Sequence, residues 1–256
     1  MPKIVLSHSK IKDYYSCPAK FSYLYLSKRI KFEDTPETIE GKKRHDALEK
    51  YCENDGKYLI TLPATDQIWA DKIRSAKGRK FFEKSFVISE DYLRCFELDR
   101  VIKENGFMKF PKVPADALIR GAMDVLIINE PFATIVDWKT GKMPGPGGKT
   151  WQDEAKEPLR TGVAQLDVYA LATFLLFPGV TQIKGVLVYL QVNATTEKVY
   201  LRKDLEQLRG EIKHFYEIVK VVIETNEDWY IEEHYAFPSK LCNWCSAKNI
   251  CKKAQL

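Results

Sequence analysis

A chain of 256 residues with 45% hydrophobic content can bury a substantial core, as one large domain or a domain with an appended module. Its formal net charge of +5 permits a nucleic-acid partner without demanding one. It has no run of about 18 apolar residues, and its start, MPKIVLSHSKIKDYY, is too polar for a secretory signal, so the expectation is a soluble cytoplasmic protein with no membrane partner.

The stretch Ser7-His8-Ser9-Lys10-Ile11 opens a helix with a serine available as N-cap, and aromatics follow at Tyr14, Tyr15, Phe21 and Tyr23. A second helix is predicted from Thr38 to about Glu53 (TIEGKKRHDALEKYCE) and a third over Asp66 to Glu83. The middle of the chain turns strand-like, over Ser85 to Ser89, Leu118 to Ile128 and Phe132 to Lys139. Gly141 to Gly148 (GKMPGPGG) reads as a loop. A helix over Leu159 to Phe177 places Leu166, Tyr169, Ala170 and Thr173 on one side. Two strands, Ile183 to Val192 and Lys198 to Arg202, precede an amphipathic helix over Asp204 to about Glu224. The tail from Phe237 holds three cysteines. This order predicts a mixed α/β sheet with helices packed on it.

Gly148-Lys149-Thr150 looks like the end of a phosphate-binding loop. The pattern G-x-x-x-x-G-K-S/T requires glycine at position 143, which is Met143, so no ATP site is expected.

The strand Ile135-Val136-Asp137-Trp138-Lys139 carries an acid and a base two residues apart. Alternation puts Ile135, Asp137 and Lys139 on one face, where a buried charge is costly unless paired. The plain reading is an ion pair at a strand end. The preceding strand, however, also has one acid in an apolar run, Asp124, which strict alternation groups with Ala122 and Leu126. Two carboxylates on neighbouring strands repel, and hard oxygen ligands suit Mg²⁺ or Mn²⁺. Lys139 would then stand beside the metal, where an ammonium can stabilise charge on a phosphate. Gln165 and Tyr169 lie four residues apart on the next helix and face the same way, placed to hold a phosphate, a base or Lys139. His45 offers an imidazole as a further ligand.

Six cysteines are present, and three of them, Cys242, Cys245 and Cys251, have C-x₂-C-x₅-C spacing suited to one soft metal centre. Cys17, in a Cys-Pro turn, is the best fourth ligand. Zinc and an iron–sulfur cluster both accept four thiolates. Cys52 and Cys95 read as core thiols.

In this order, the residues resemble the PD-(D/E)XK nuclease superfamily, and within it the RecB-like branch. His45 matches the helix histidine, Asp124 the first acid, Asp137 and Lys139 the acid-x-Lys element, and Gln165 and Tyr169 the Q-x-x-x-Y helix. The resemblance implies a restriction-endonuclease-like α-β-β-β-α-β core and a metal-dependent phosphodiesterase acting on DNA. It assigns His45, Asp124, Asp137 and the Trp138 carbonyl to the metal and Lys139 to the attacking water. Glu83, placed before the first strand, matches an auxiliary acid. Members of the branch that carry a [4Fe–4S] cluster, among them CRISPR adaptation nucleases and phage-encoded relatives, space their cysteines much as Cys17, Cys242, Cys245 and Cys251 are spaced. The implied division is an N-terminal helical region over 1–82, a nuclease core over 83–225, and a cysteine module over 226–256 packing back on the N-terminus.

The expected activity is that of an exonuclease or end-processing enzyme in recombination, phage replication or CRISPR-type spacer processing, in a bacterial or phage-infected cell. Recombination or single-strand-binding proteins are candidate partners. Lys42, Lys43, Arg44, Lys142 and Lys149 are candidate phosphate contacts. The aromatics of the first helix are either base-stacking or core residues. The alternative class is a catalytically silent DNA-binding or scaffold protein that keeps the fold and the cluster.

Overall fold

A computed structural model describes residues 4–53, 61–98, 102–104, 107–109, 112–140, 165–225, 227–236, 238, 242–243 and 245–255. The expected loop at 141–148, Lys142, Lys149 and the phosphate-loop look-alike at 148–150 lie outside these residues.

Helix α1 spans His8–Ser16, and Ser7 caps it by accepting the Lys10 N–H at 3.4 Å. Pro18 then starts α2 (Pro18–Phe21), where its missing N–H costs nothing, and the chain runs on as one π-helical turn, Ser22–Leu26. Helix α3 covers Pro36–Glu53 and α4 covers Ala64–Ser75. The predicted helix to Glu83 therefore stops eight residues early. Ala76 is extended, and Gly78 has φ +117, where a Cβ would also meet the Ile128 carbonyl oxygen at 2.6 Å. The chain turns there, and Arg79–Ser89 becomes strand β1, so a boundary drawn after residue 82 falls inside that strand.

The remaining strands are β2 (Cys95–Glu97), β3 (Ile102–Glu104), β4 (Phe107–Lys109), β5 (Ala117–Asn129), β6 (Phe132–Lys139), β7 (Gln182–Tyr189) and β8 (Ala194–Leu201). Six of them form a mixed sheet in the order β2-β1-β5-β6-β7-β8, while β3 and β4 pair apart. Only β6 and β7 run parallel within that sheet. A parallel pair needs a crossover, and helix α5 (Gln165–Leu176) lies between them in the chain. Strand β8 begins four residues earlier than its own composition suggests, because it pairs with β7 without a break from Tyr189↔Ala194 to Gln182↔Leu201. Pairing, rather than propensity, sets that edge. Helices α6 (Leu205–Thr225) and α7 (Asp228–Tyr235) complete the order.

Each sheet face has its own core. Phe86, Ile119, Met123, Leu126 and Ile135 pack against α5 and α6 on one side. Every residue of α5 from Leu166 to Phe174 is buried, as expected of a helix that is apolar all round. On the other side Val125, Val136, Trp138 and Val186 pack against Leu48 and Cys52 of α3 and Ala70 and Ile73 of α4. A third, smaller cluster joins Ala19 and Tyr23 near the N-terminus to Ala236, Ala247 and Cys251. Among the described residues, no helix is long and apolar enough to cross a membrane.

Candidate active site

Two strands lose their alternation at the same place. On β1, Phe82 faces the α3 side whereas Phe86 and Ile88 face the α5 side. On β5, Ile119 and Met123 face α5, and so do Leu126 and Ile128. Each strand has slipped one step, and the step lies at Glu83 and Asp124. Glu83 supplies the backbone cause: its φ of 48 is left-handed, between the regular pairs Phe82↔Val125 and Lys84↔Met123. Such conformations cost about 1–3 kcal/mol and collect at functional sites. Asp124 therefore does not share a strictly alternating face with Leu126, and Glu83 lies inside β1 rather than before it.

The β5–β6 ladder stops at this point. Its last pair is Val125↔Val136, and beyond it the Asp124 carboxylate, not a carbonyl, accepts the Trp138 N–H at 2.7 Å. The strands part and the carboxylate fills the gap. Its other oxygen lies 3.5 Å from His45 Nδ1 on α3. His45 reaches in because α3 comes close to the end of β6: a Cβ on Gly41, one turn earlier, would sit 2.7 Å from Thr140 Oγ1. His45, Glu83 and Asp124 each offer a ligand atom, all within 4.8 Å of one another.

Asp137 stands beside this trio, 2% exposed, with Oδ2 2.6 Å from Lys139 Nζ. That oxygen is an ion-pair contact but accepts no well-aligned hydrogen bond. Burial, with help from the Asp124 charge, pushes the Asp137 carboxyl up to about 6, against the opposing pull of Lys139 and His45. Burial lowers Lys139, but Asp137 more than offsets it, so the ammonium is held above its ordinary value. The same balance holds His45 above its usual range: burial lowers it, whereas Asp124, Asp137 and Glu83 raise it. A buried carboxylate oxygen short of hydrogen bonds, two more carboxylates and an imidazole make a donor set that fits Mg²⁺ or Mn²⁺.

Lys139 is tied back through a relay. Its Nζ donates to Gln165 Oε1 at 2.7 Å, Gln165 Nε2 donates to Tyr169 Oη at 2.6 Å, and Tyr169 Oη donates to the Ala122 carbonyl at 2.5 Å. Burial, assisted by Asp137 and Asp124, raises the Tyr169 phenol far above its ordinary pKa, so it stays a donor. Gly121 makes room for the ring, since a Cβ there would lie 2.6 Å from Phe86 and 3.3 Å from Tyr169. Of the three roles open to Gln165 and Tyr169, the structure shows the hold on Lys139. Tyr169→Phe should leave the Gln165 amide and the Ala122 carbonyl each short of a partner. A loss of about 1–3 kcal/mol in urea unfolding is expected, and an unchanged midpoint would remove the relay from the argument.

Trp138 buries its side chain in the core on the α3 side, as alternation requires. Two of the basic residues read as phosphate contacts have protein partners instead. Arg44 grips the fully buried Asp66 with two 2.5 Å bonds, and Lys42 pairs with Asp34 at 2.7 Å. Arg44 therefore fixes α3 to α4 one residue from His45. Lys43 is exposed.

The cysteines gather at the third core cluster. Cys17 and Cys245 pack against the cluster that contains the buried Cys251. The Cys17 thiol is raised mainly by burial and further by Cys245 and Cys242, and Cys251 likewise by burial and by Cys17. Backbone N–H groups of Lys20 and Ala19 point at the Cys17 sulfur, Ala247 N–H at Cys245 (3.4 Å), and Lys253 and Ala254 N–H at Cys251. Donors aimed at sulfur are what metal-bound thiolates use. Cys52 lies buried against Ala70 of α4, and Cys95 packs at the edge of the α5-side core.

Comparison with family models carries this geometry further. A model described as the PD-(D/E)XK nuclease superfamily matches residues 5–252. The chain belongs to the PD-(D/E)XK nuclease superfamily. Its mixed six-stranded sheet flanked by helices is consistent with the restriction-endonuclease-like fold. Membership implies a metal-dependent nuclease, and the trio of His45, Glu83 and Asp124 is a candidate site for the metal. No curated protein matches the chain. A solved structure described as "Crystal structure of SSO0001" aligns with 14% identity and a TM-score of 0.45, covering 99% of this chain and 88% of that one.

Proposed function

We propose that the chain is a divalent-metal-dependent deoxyribonuclease acting at DNA ends, in recombination, phage replication or spacer processing. The observation that carries the hydrolytic part is the parted β5–β6 ladder, where His45, Glu83 and Asp124 come within 4.8 Å and Lys139 stands 2.6 Å from buried Asp137. His45, Asp124, Asp137 and the Trp138 carbonyl would hold Mg²⁺ or Mn²⁺, with Glu83 joining them. The ion would act as a Lewis acid on a phosphate oxygen and lower the pKa of a bound water. The chain's own residues do the rest. Lys139 brings a fixed positive charge to the phosphate, and Gln165 and Tyr169 keep that charge from wandering. The end-directed part rests on the likeness of the motif set to the RecB-like branch. In the same reading Cys17, Cys242, Cys245 and Cys251 hold a [4Fe–4S] cluster, with zinc the competing occupant. The N–H groups aimed at three of the sulfurs support an anionic thiolate set.

Digestion of end-labelled linear DNA and closed circular DNA tests the activity. With Mg²⁺ or Mn²⁺, linear DNA should shorten from its ends while circles survive, and EDTA should stop the reaction. Cutting of circles would replace the end-directed reading with an endonuclease. Binding of both DNAs without any cutting would point to the silent DNA-binding class.

A further inference from the structure

Helix α5 is tied to the sheet on two sides. On one, Tyr169 bonds the Ala122 carbonyl of β5 and Gln165 reaches Lys139 of β6. Asp167 lies between these two in the chain but on the opposite side of the helix, because about 3.6 residues make one turn. There its Oδ1 accepts two bonds from β8, one from Lys198 Nζ and one from the Tyr200 hydroxyl, each at 2.7 Å. Gly185 of β7, paired with Lys198 in the ladder, makes room for this contact. A Cβ there would lie 3.1 Å from Leu166 and 3.2 Å from the Tyr200 ring. Leu166 and Asp167 are neighbours, so this end of α5 sits close on the sheet.

Packing alone does not require a carboxylate here. Asp167 is 7% exposed, and Asp167→Leu with Tyr200→Phe would fill much the same space. A buried carboxylate is costly to desolvate, and its half-exposed partner Lys198 offsets only part of that cost. What such a group supplies is one fixed geometry. The geometry at stake is the rotation of α5 about its own axis. Held on the Tyr169 side alone, the helix is free to roll. A roll of about 20° moves a side-chain tip about 5–6 Å from the axis by about 2 Å. The Gln165–Lys139 bond is 2.7 Å long, and a hydrogen bond does not survive that displacement. An anchor on the far side of the helix prevents it.

We propose that Asp167 is a positioning residue: with Lys198 and Tyr200 it fixes the rotation of α5 and so holds Gln165 on Lys139. Its consequence for catalysis rests on the nuclease reading. A measurement on Lys139 itself in metal-free protein separates the two, because no cutting is needed.

The test pairs DNA-cutting kinetics with the ¹⁵N chemical shift of the Lys139 ammonium in EDTA. Asp167→Leu combined with Tyr200→Phe removes acceptor and donor together, a change that costs little stability, and leaves Lys198 to water. This double variant should fold and cut with a kcat lower by about tenfold or more and a KM within about twofold of wild type. Its Lys139 shift should move toward that of Gln165→Ala, which cuts the same bond directly. Asp167→Asn keeps Oδ1 for both donors and should restore the shift and most of the rate. Tyr200→Phe alone, which leaves the ring against Gly185, should move both readouts the same way by less. Wild-type kcat and Lys139 shift in the folded double variant, or in Tyr200→Phe should the double variant not fold, would overturn the proposal. So would a slower double variant whose Lys139 shift has not moved. A wild type that cuts no DNA, but whose Lys139 shift moves in the double variant, would sink the nuclease reading and leave the positioning role standing.

Discussion

Asp137→Asn is expected to give a protein that is more stable than the wild type at pH 8 and cuts no DNA. The carboxyl is 2% exposed, and its pKa rises from 3.8 to about 6, chiefly through burial. A folded-state pKa above the unfolded value means stability that is full below pH 3.8 and lost as pH climbs through about 6. The ionised carboxylate is the costly form in the folded state, so wild-type stability falls as pH rises, by an amount on the order of a few kcal/mol. The shift already contains the favourable pull of Lys139, so the loss is net of the ion pair. Asparagine does not ionise and escapes it. The two proteins should therefore match near pH 4 and diverge by pH 8, measured by denaturant unfolding in EDTA. Equal stability at pH 8 would show that Asp137 carries its charge at no cost and would remove the tension from the site. Activity should fall by more than about 100-fold, the upper figure for losing a mere supporting partner of a metal ligand.

The same linkage predicts how a cation acts on the fold. Mg²⁺ or Mn²⁺ binds the ionised carboxylates, so it should raise the wild-type melting temperature more at pH 8 than at pH 5. His45 works in the same direction. Its raised pKa makes the protonated form the stabilising one, a contribution present below the unfolded value and lost as pH rises through the folded one. Above that range the metal-free site is at its least stable, and there the cation has most to offset.

How much of this was legible in the sequence depended on range. Strand β6 is legible end to end, because Phe132 to Lys139 is a mainly apolar run whose only charged interior residue is Asp137. Gln165 and Tyr169 were legible because i and i+4 on a helix must share a side. The sequence misplaces Glu83, since its charged helical pattern runs on through Gly78 although the chain has already turned there. A signal was available: KFFEKSFV sets one acid among aromatics and apolar residues, as AMDVLII does around Asp124. The double slip in alternation was not legible, because one left-handed residue creates it and composition does not encode φ at a glutamate. Arg44 read as a phosphate contact because its partner, Asp66, lies 22 residues away on another helix. Positive charge is visible in a sequence, but its pairing is not.

Cys251→Ser is expected to have the largest effect on the fold, and it tests the cysteine centre directly. The cluster that joins the chain's two ends is small: its buried members are Ala19, Tyr23, Ala236, Ala247 and Cys251. Alanines bury little apolar area, and hydrophobic stabilisation scales with area. Polar ties assist. Buried Glu232 accepts from the Tyr23 hydroxyl and, at 2.6 Å, from the Lys252 N–H, and Asp228 bonds Ser22 and Arg29. These bonds are net contributions of about 1 kcal/mol each. Small modules of this kind usually need a metal or disulfides to persist. Wild type purified anaerobically should be brown, with iron and sulfide in equal amounts. Cys251→Ser should be colourless, with a melting transition that begins at this end and fast amide exchange in Lys252 to Gln255. Cys52→Ser and Cys95→Ser, which alter thiols packed in the sheet cores, should keep the iron. A colourless wild type containing zinc would replace the cluster with a structural zinc site. A metal-free wild type, as stable as Cys251→Ser, would show that the alanine cluster and the Glu232 and Asp228 bonds hold the two ends together unaided.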